Sequence, residues 1–262
     1  MDSRAREIEA ATHAKFSGTV YQPERISLSA ASRGEDYSSR TLALKVALIR
    51  RYCTGPVLVD VCCSTGMQLA ELASGHRLAV GVDFSLPFLQ YGRQHARDSG
   101  EWSGAGVCAN VRALPFGDRT VDGAYSLSSL YYIPAVAEVI AEVGRVLKPG
   151  GRCVLDMGNV HSLNNIVCRA YPDLAELCPV SLADMLAMID AAGLTILEHR
   201  SFQILPMWGD RPAKLKRLLS PKLVRLMARR LGGRTLDEWV SSLPVLRRYA
   251  FRQVFVCERT RP

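Results

Sequence analysis

Short, near-continuously apolar runs alternate with amphipathic stretches through the middle of the chain. VLVDV (57–61), LAVGVD (78–83), AGVCAN (105–110), VDGAYSL (121–127) and RCVLDM (152–157) have the pattern of strands buried on both faces of a parallel sheet. Helical patterns lie between them. One follows Gly66, and another starts after Ser85, which stands at an N-cap position. A third, over 134–147, places Val136, Ile140, Val143 and Leu147 on one stripe with Pro134 in its first turn. Strands and helices in that order predict a doubly wound α/β sheet with right-handed crossovers.

Beyond Asn159 the alternation loosens. SLADMLAMIDAAG (181–193) reads as a capped helix stopped by Gly193, followed by the strand LTILEHRSF. YAFRQVFVCER (249–259) alternates polar and apolar positions, as an edge or antiparallel strand does. Between these strands, Ser220-Pro221 starts a helix and Gly232-Gly233 stops it, predicting helix over 221–231. The organisation expected is an N-terminal helical lid (1–50), an α/β core (51–205), a basic helical insertion serving as substrate lid (206–248), and a last core strand with tail (249–262).

Composition narrows the class. A chain of 262 residues with 48% hydrophobic and 22% charged residues fits one substantial core. Its N-terminus has no apolar signal core, and no uncharged apolar run approaches the ~20 residues of a membrane span, so a cytoplasmic protein is expected. The 8 cysteines show no C-x-x-C and no histidine at ligand spacing, which points to free thiols and no metal. The net charge of +8 is local: residues 211–234 contain nine Lys or Arg and no acid, leaving the rest near neutrality.

The loop after the first strand is where an open α/β sheet places its ligand. Here it reads DVCCSTG, residues 60–66, and only Gly66 is a glycine. No phosphate fingerprint of the G-x-G-x-x-G kind can be written, which argues against a dinucleotide. From Val57 to Met157 four motifs stand in order: Asp60 through Gly66; Asp83 in GVDFS; ANVRALPFGDRTVDGAYS; and RVLKPGGRCVLDM. Together they resemble the class I S-adenosylmethionine-dependent methyltransferases, in particular the small-molecule group with ALPF and LKPGG segments. The resemblance implies a mainly parallel, seven-stranded, Rossmann-like sheet and S-adenosyl-L-methionine as cofactor.

The same resemblance assigns site residues. Asp83 would accept both ribose hydroxyls, Phe84 cover an adenine face, Asn110 meet the adenine amino group and Val111 offer its backbone N–H to the ring. Asp60 would order the loop or bind the methionine ammonium through water. Cys62 and Ser64 replace motif glycines, Gly66 is kept, and Ser126 ends the fourth strand at the cofactor. A Cβ at position 62 costs ~1–2 kcal/mol if φ is positive there and little if it is negative.

The acceptor is less legible. A hydroxyl acceptor needs its proton removed, and of the five histidines only His161 falls near the cofactor's reactive end, as a candidate general base or a solvent-facing loop residue. Tyr131-Tyr132 are expected to line an acceptor cavity or pack in the core. Tyr21, Tyr37 and Arg40 are candidates to touch the methionine end. The implied function is methylation, at oxygen, of a small molecule or a glycan- or lipid-linked intermediate in a biosynthetic pathway. The alternative is a non-catalytic protein that keeps the fold and binds cofactor or a partner. The basic stretch 211–234 is a solvated lid face, a site for an anionic acceptor or a peripheral contact with an anionic membrane. Nucleic acid ranks last, since the stretch has no interleaved aromatics. The sequence sets no oligomeric state.

Overall fold

The computed structural model describes residues 3–18, 22–23, 37–99, 105–169, 177–206 and 220–260. Tyr21, residues 207–219 with Lys214 and Arg217, and much of the expected N-terminal lid lie outside them. Two helices precede the sheet, α1 (Ser3–Lys15) and α2 (Tyr37–Tyr52). Then follow β1 (Val57–Val61), α3 (Met67–Ala73), β2 (Leu78–Asp83), α4 (Leu86–Ser99), β3 (Ala105–Cys108) and β4 (Val121–Ser126). The second half holds α5 (Val136–Val146), β5 (Leu147–Gly158), α6 (Leu163–Arg169), α7 (Leu182–Ala191) and β6 (Leu194–Phe202). The insertion contributes α8 (Pro221–Met227) and α9 (Leu236–Ser241), and β7 (Arg252–Arg259) closes the fold.

The seven strands pair in the order β3-β2-β1-β4-β5-β7-β6. The first five run parallel. β7 is antiparallel to both neighbours, β5 and β6. It therefore lies inside the sheet and not at its edge, which explains why Arg252 and Gln253 are buried despite the polar alternation of their segment.

Alternation across the strands feeds two cores. Val59 and Val61 face one way, against Val139, Ile140 and Val143 of α5 and Met185 and Ile189 of α7. Leu58 faces the other, against Leu48 and Ile49 of α2 and Leu69 of α3. The α5 stripe forms because Val136, Val139, Ile140 and Val143 recur at helical spacing, and all are buried. Each such side chain contributes roughly 1.5–3 kcal/mol by leaving water. A charge at Val143 would remove that and strand an ion in the core.

Several local expectations are adjusted. The LKPGG turn is part of β5: Leu147 already pairs with Val121, and the register slips before Gly123 meets Arg152. The helix started by Ser220, whose side chain accepts from the Leu223 N–H, ends at Met227. Gly232-Gly233 is the turn of a small hairpin joining Arg230–Leu231 to Arg234–Thr235, with φ of 58° and 81°. Two successive positive φ values are what a tight hairpin turn demands, so this pair reverses a ribbon instead of stopping a helix. Ser85 precedes α4, but its hydroxyl donates to the Phe16 carbonyl at 2.6 Å, tying the end of α1 to the head of α4.

Candidate active site

Residues from both halves of the sheet surround a cavity of about 790 Å³ at the carboxyl ends of the parallel strands, within the ~300–1,000 Å³ usual for small-ligand sites. Its wall includes Asp60, Cys62, Asp83, Phe84, Asn110 and Val111 at one end, and Lys45, Tyr131 and Arg252 at the other. Gly66 and Ser126 do not line it. Gly66 caps α3 with φ 74°, and Ser126 is fully buried behind the wall against the Cys62 thiol.

The loop after β1 keeps a glycine backbone without the glycines. Cys62, Ser64 and Gly66 have φ of 66°, 54° and 74°. The condition under which Cys62 would be cheap, a negative φ, is not met. Each of the two side chains then costs roughly 1–2 kcal/mol of left-handed strain. Surrounding bonds hold the shape. The N–H groups of Cys62 and Cys63 both donate to the Val82 carbonyl, at 2.8 and 3.1 Å, and Gly66 N–H donates to Cys63 O at 2.8 Å. Below the loop, α4 presses so close that a Cβ on Gly92 would lie 2.1 Å from the Thr65 carbonyl oxygen.

The acids at this end are held by backbone donors. Asp83 accepts from the N–H of Ser64 and of Ser85, both at 2.9 Å, one on each carboxylate oxygen. Burial raises its pKa, and those two N–H groups work against the rise. Asp60 accepts from the Tyr125 hydroxyl at 2.9 Å. Its pKa is raised well above the ordinary value, chiefly by burial and further by the nearby Asp83. Burial also pushes the Cys62 thiol well up, so it faces the cavity as a neutral group, not a nucleophile. The Ser64 hydroxyl is buried in the wall with no hydrogen-bond partner among the described residues. Asn110 folds its amide oxygen back onto the Arg112 N–H at 2.9 Å.

Several wall residues were missed by the motifs. His13 of α1 stacks on Phe84, ring centroids 4.2 Å apart, and Arg112 pairs with Glu9 at 3.1 Å, so α1 covers this end. At the far end Lys45 Nζ and Arg252 Nη1 both bind the same oxygen of Asp156, at 2.8 and 3.2 Å. Ser128 adds its N–H to that oxygen, while Oδ1 is buried with no partner among the described residues. Burial lowers the Lys45 pKa and Arg252 lowers it further, against the pull of Asp156. Burial would raise the Asp156 pKa, but the two cations hold it below its usual value. The geometry thus gathers two basic side chains on one buried carboxylate oxygen. Arg252 also lies 4.8 Å from the Tyr131 ring centroid. Lys45 had a signal in the sequence, a lysine in the apolar stripe of LALKVALI. Arg252 had a weaker one, a charge at the head of an otherwise apolar strand.

Other expected residues go elsewhere. His161 is exposed and does not line the cavity; its N–H donates to Asn159 Oδ1. Tyr131, Tyr132 and Tyr37 do line the wall. Arg40 instead donates to the Ala228 carbonyl at 2.7 Å, fastening the insertion to α2. None of residues 220–248 lines the cavity. They are anchored by Asp237, which accepts from the Tyr37 hydroxyl and from the N–H groups of Gln203 and Ile204. No metal-binding cluster of His, Cys, Asp or Glu occurs among the described residues, and the described cysteines are free.

The strand order, five parallel strands followed by an antiparallel one inside the sheet, is that of the Rossmann-like methyltransferase fold. Residues 59–155 match the family model described as a methyltransferase domain. Among curated relatives, an O-methyltransferase, cnsE, of Penicillium expansum is 30% identical over 148 residues, 55% of this chain and 54% of the relative. A 24-methylenesterol C-methyltransferase 2 of Oryza sativa subsp. japonica is 34% identical over 133 residues, 50% of this chain and 36% of the relative. The chain thus spans about half or less of these relatives. Among solved structures, geranyl diphosphate C-methyltransferase from Streptomyces coelicolor, in complex with S-adenosyl-L-homocysteine, superposes with a TM-score of 0.59 at 19% identity, covering 84% of this chain and 80% of that one. The [4+2]-cyclase SpnF gives 0.58 at 19% identity, with the same coverages of 84% and 80%. At such identities these likenesses carry the fold alone.

Proposed function

We propose that this chain is an S-adenosylmethionine-dependent methyltransferase acting at an oxygen of a small acceptor that binds as an anion. One observation carries the reading: the cavity is chemically asymmetric, with acidic side chains at one end and basic ones at the other. Asp60 and Asp83 sit at the β1/β2 end, where a cationic cofactor belongs. Lys45 and Arg252, sharing a single carboxylate, sit at the β5/β7 end. β2 and β5 are three strands apart, about 14 Å at ~4.8 Å per strand, which leaves room for a cofactor and a small acceptor end to end.

The residues present suit the cofactor. Each Asp83 oxygen keeps a lone pair for a ribose hydroxyl, the strained loop leaves the unpartnered Ser64 hydroxyl in the wall, and Phe84 offers a ring face for a base. When bound, S-adenosylmethionine supplies a methyl group already activated for transfer. The protein's own part is positioning and charge. Lys45 and Arg252 hold the acceptor oxygen deprotonated, so an acidic hydroxyl or a carboxylate needs no separate base. That accords with His161 standing outside the wall. The O-methyltransferase relative cnsE supports oxygen as the acceptor atom.

A second reading, a protein that keeps this fold without transferring methyl groups, is favoured by the strain at Cys62 and Ser64 and by a cyclase sharing the fold. Incubation of the protein with isotope-labelled cofactor and cell extract, followed by mass spectrometry, separates the two. Label in an acidic small molecule supports the first. Tight cofactor binding with no labelled product from any extract fraction supports the second.

A further inference from the structure

Residues 220–249 present a surface that is basic and apolar at once. Lys222, Arg225, Arg229, Arg230 and Arg248 are exposed there. So are Leu226, Leu231, Trp239, Leu243, Val245 and Tyr249, at 42–70% of their full accessibility. The two acids of the stretch point inward. Asp237 and Glu238 are fully buried, Asp237 on the backbone of β6 and Glu238 on the Arg200 guanidinium at 3.1 Å. No carboxylate therefore faces solvent from residues 220–249.

Leu231 and Trp239 are neighbours, not scattered singles. Trp239 Nε1 donates to the Leu231 carbonyl at 3.0 Å, and the Arg234 guanidinium lies 5.1 Å from the Trp239 ring centroid. Leu243 lies just beyond the end of the Trp239 helix, its N–H bonded to the Val240 carbonyl. Isolated exposed leucines need no explanation, but a contiguous patch rimmed by one sign of charge marks a contact surface.

The chemistry selects the partner. A second copy of the chain in a two-fold arrangement would bring this basic face against itself. An acidic lipid surface meets both components: phosphates for the arginines, and headgroup depth for Trp, Tyr and Leu. We propose that this face docks on an anionic bilayer, with Leu231, Trp239 and Leu243 entering the headgroup layer and the surrounding arginines on lipid phosphates. The inference is independent of the methyltransferase reading, because none of these residues lines the cavity.

The test is co-sedimentation of the full chain with vesicles of three parts phosphatidylcholine to one part phosphatidylglycerol, against vesicles of phosphatidylcholine alone. Binding to the anionic vesicles is expected, weakening at least about tenfold as salt rises from about 50 to about 300 mM. Two variants probe the two components: Leu231→Ser with Trp239→Ser and Leu243→Ser, and Arg229→Glu with Arg230→Glu and Arg248→Glu. Each should lower affinity for the anionic vesicles about tenfold or more while a cooperative thermal unfolding transition, which reports an intact fold, is kept. In the wild type, vesicles should shift tryptophan emission to the blue, and Trp239→Phe should abolish the shift. Equal binding to both vesicle types, no binding to either, or either triple variant binding like wild type would overturn the proposal. So would sedimentation equilibrium showing a dimer that the apolar variant dissolves, since the face would then be a self-association surface.

Discussion

The backbone N–H of Ser64 reaches the Asp83 carboxylate at 2.9 Å, so the strained loop after β1 and the acid ending β2 form one unit. In the proposed site that carboxylate takes two ribose hydroxyls, and hydrogen bonds to a charged acceptor are worth about 1.5–3 kcal/mol each. Asp83→Ala should weaken S-adenosylmethionine binding by about 2–4 kcal/mol in a calorimetric titration. Unchanged affinity would remove the assignment.

Restoring glycine tests the loop. Cys62→Gly and Ser64→Gly each release left-handed strain of roughly 1–2 kcal/mol, offset in part by the ~0.5–1 kcal/mol entropic cost of a new glycine. Thermal unfolding should show each variant equal to or up to ~1.5 kcal/mol more stable than wild type. Because the bonds to Val82 and Asp83 already fix the shape, cofactor affinity should change by less than about threefold. A tenfold tightening would mean that the present loop is a damaged one.

Lys45 separates stability from function. Lys45→Met leaves Asp156 paired with Arg252 and removes a buried ammonium of similar length. Replacing one member of such a cluster by an apolar isostere, with the carboxylate still paired, should cost no more than ~1 kcal/mol in a denaturant titration. The positive end of the cavity is lost, so kcat/KM for an acidic acceptor should fall at least about tenfold with the cofactor's Kd unaltered. A large fall in stability with normal turnover would instead make the cluster purely structural.

His199 sets an acid limit. It stacks on Phe255 and its Nε2 meets the Gln253 amide oxygen at 2.7 Å, and burial lowers its pKa to about 4. The unfolded chain takes up this proton near pH 6.5 and the folded chain only near pH 4. Between those values the unfolded state binds more protons, so stability falls as pH falls from 6.5 to 4. The loss from this residue should be of order 2–3 kcal/mol. Unfolding titrations of His199→Gln should lack that component; an identical pH profile in the variant would exclude it.

Much of the sheet was readable because buried parallel strands leave continuous apolar runs, and β1, β2 and β4 fall where those runs lie. The β1/β2 end of the cavity was readable for a different reason. Asp60, Asp83, Phe84, Asn110 and Val111 are contributed by strand ends and the residues following them, so their spacing follows from the strands. Lys45 and Arg252 come from a helix before the sheet and a strand at its end, more than 200 residues apart. Nothing local in the sequence announces that they share Asp156. The same separation hid the place of β7: its alternation allowed an edge or an antiparallel strand, and the antiparallel one is found, its polar head residues buried between two neighbours. His161 follows β5 closely, but it is exposed and lines no part of the cavity.

The close approach of α4 to the loop after β1 bears on binding as well as folding. A glycine in mid-helix ordinarily costs about 1 kcal/mol relative to alanine, yet at position 92 only a missing side chain lets the helix meet the Thr65 carbonyl. The loop is thus braced from beneath by packing, independently of anything in the cavity. An arriving ligand meets a contour already formed, and the entropy of ordering these residues is lost when the chain folds instead of when the ligand binds. Gly92→Ala should therefore act at a distance, loosening the rim and slowing productive capture of cofactor without touching it.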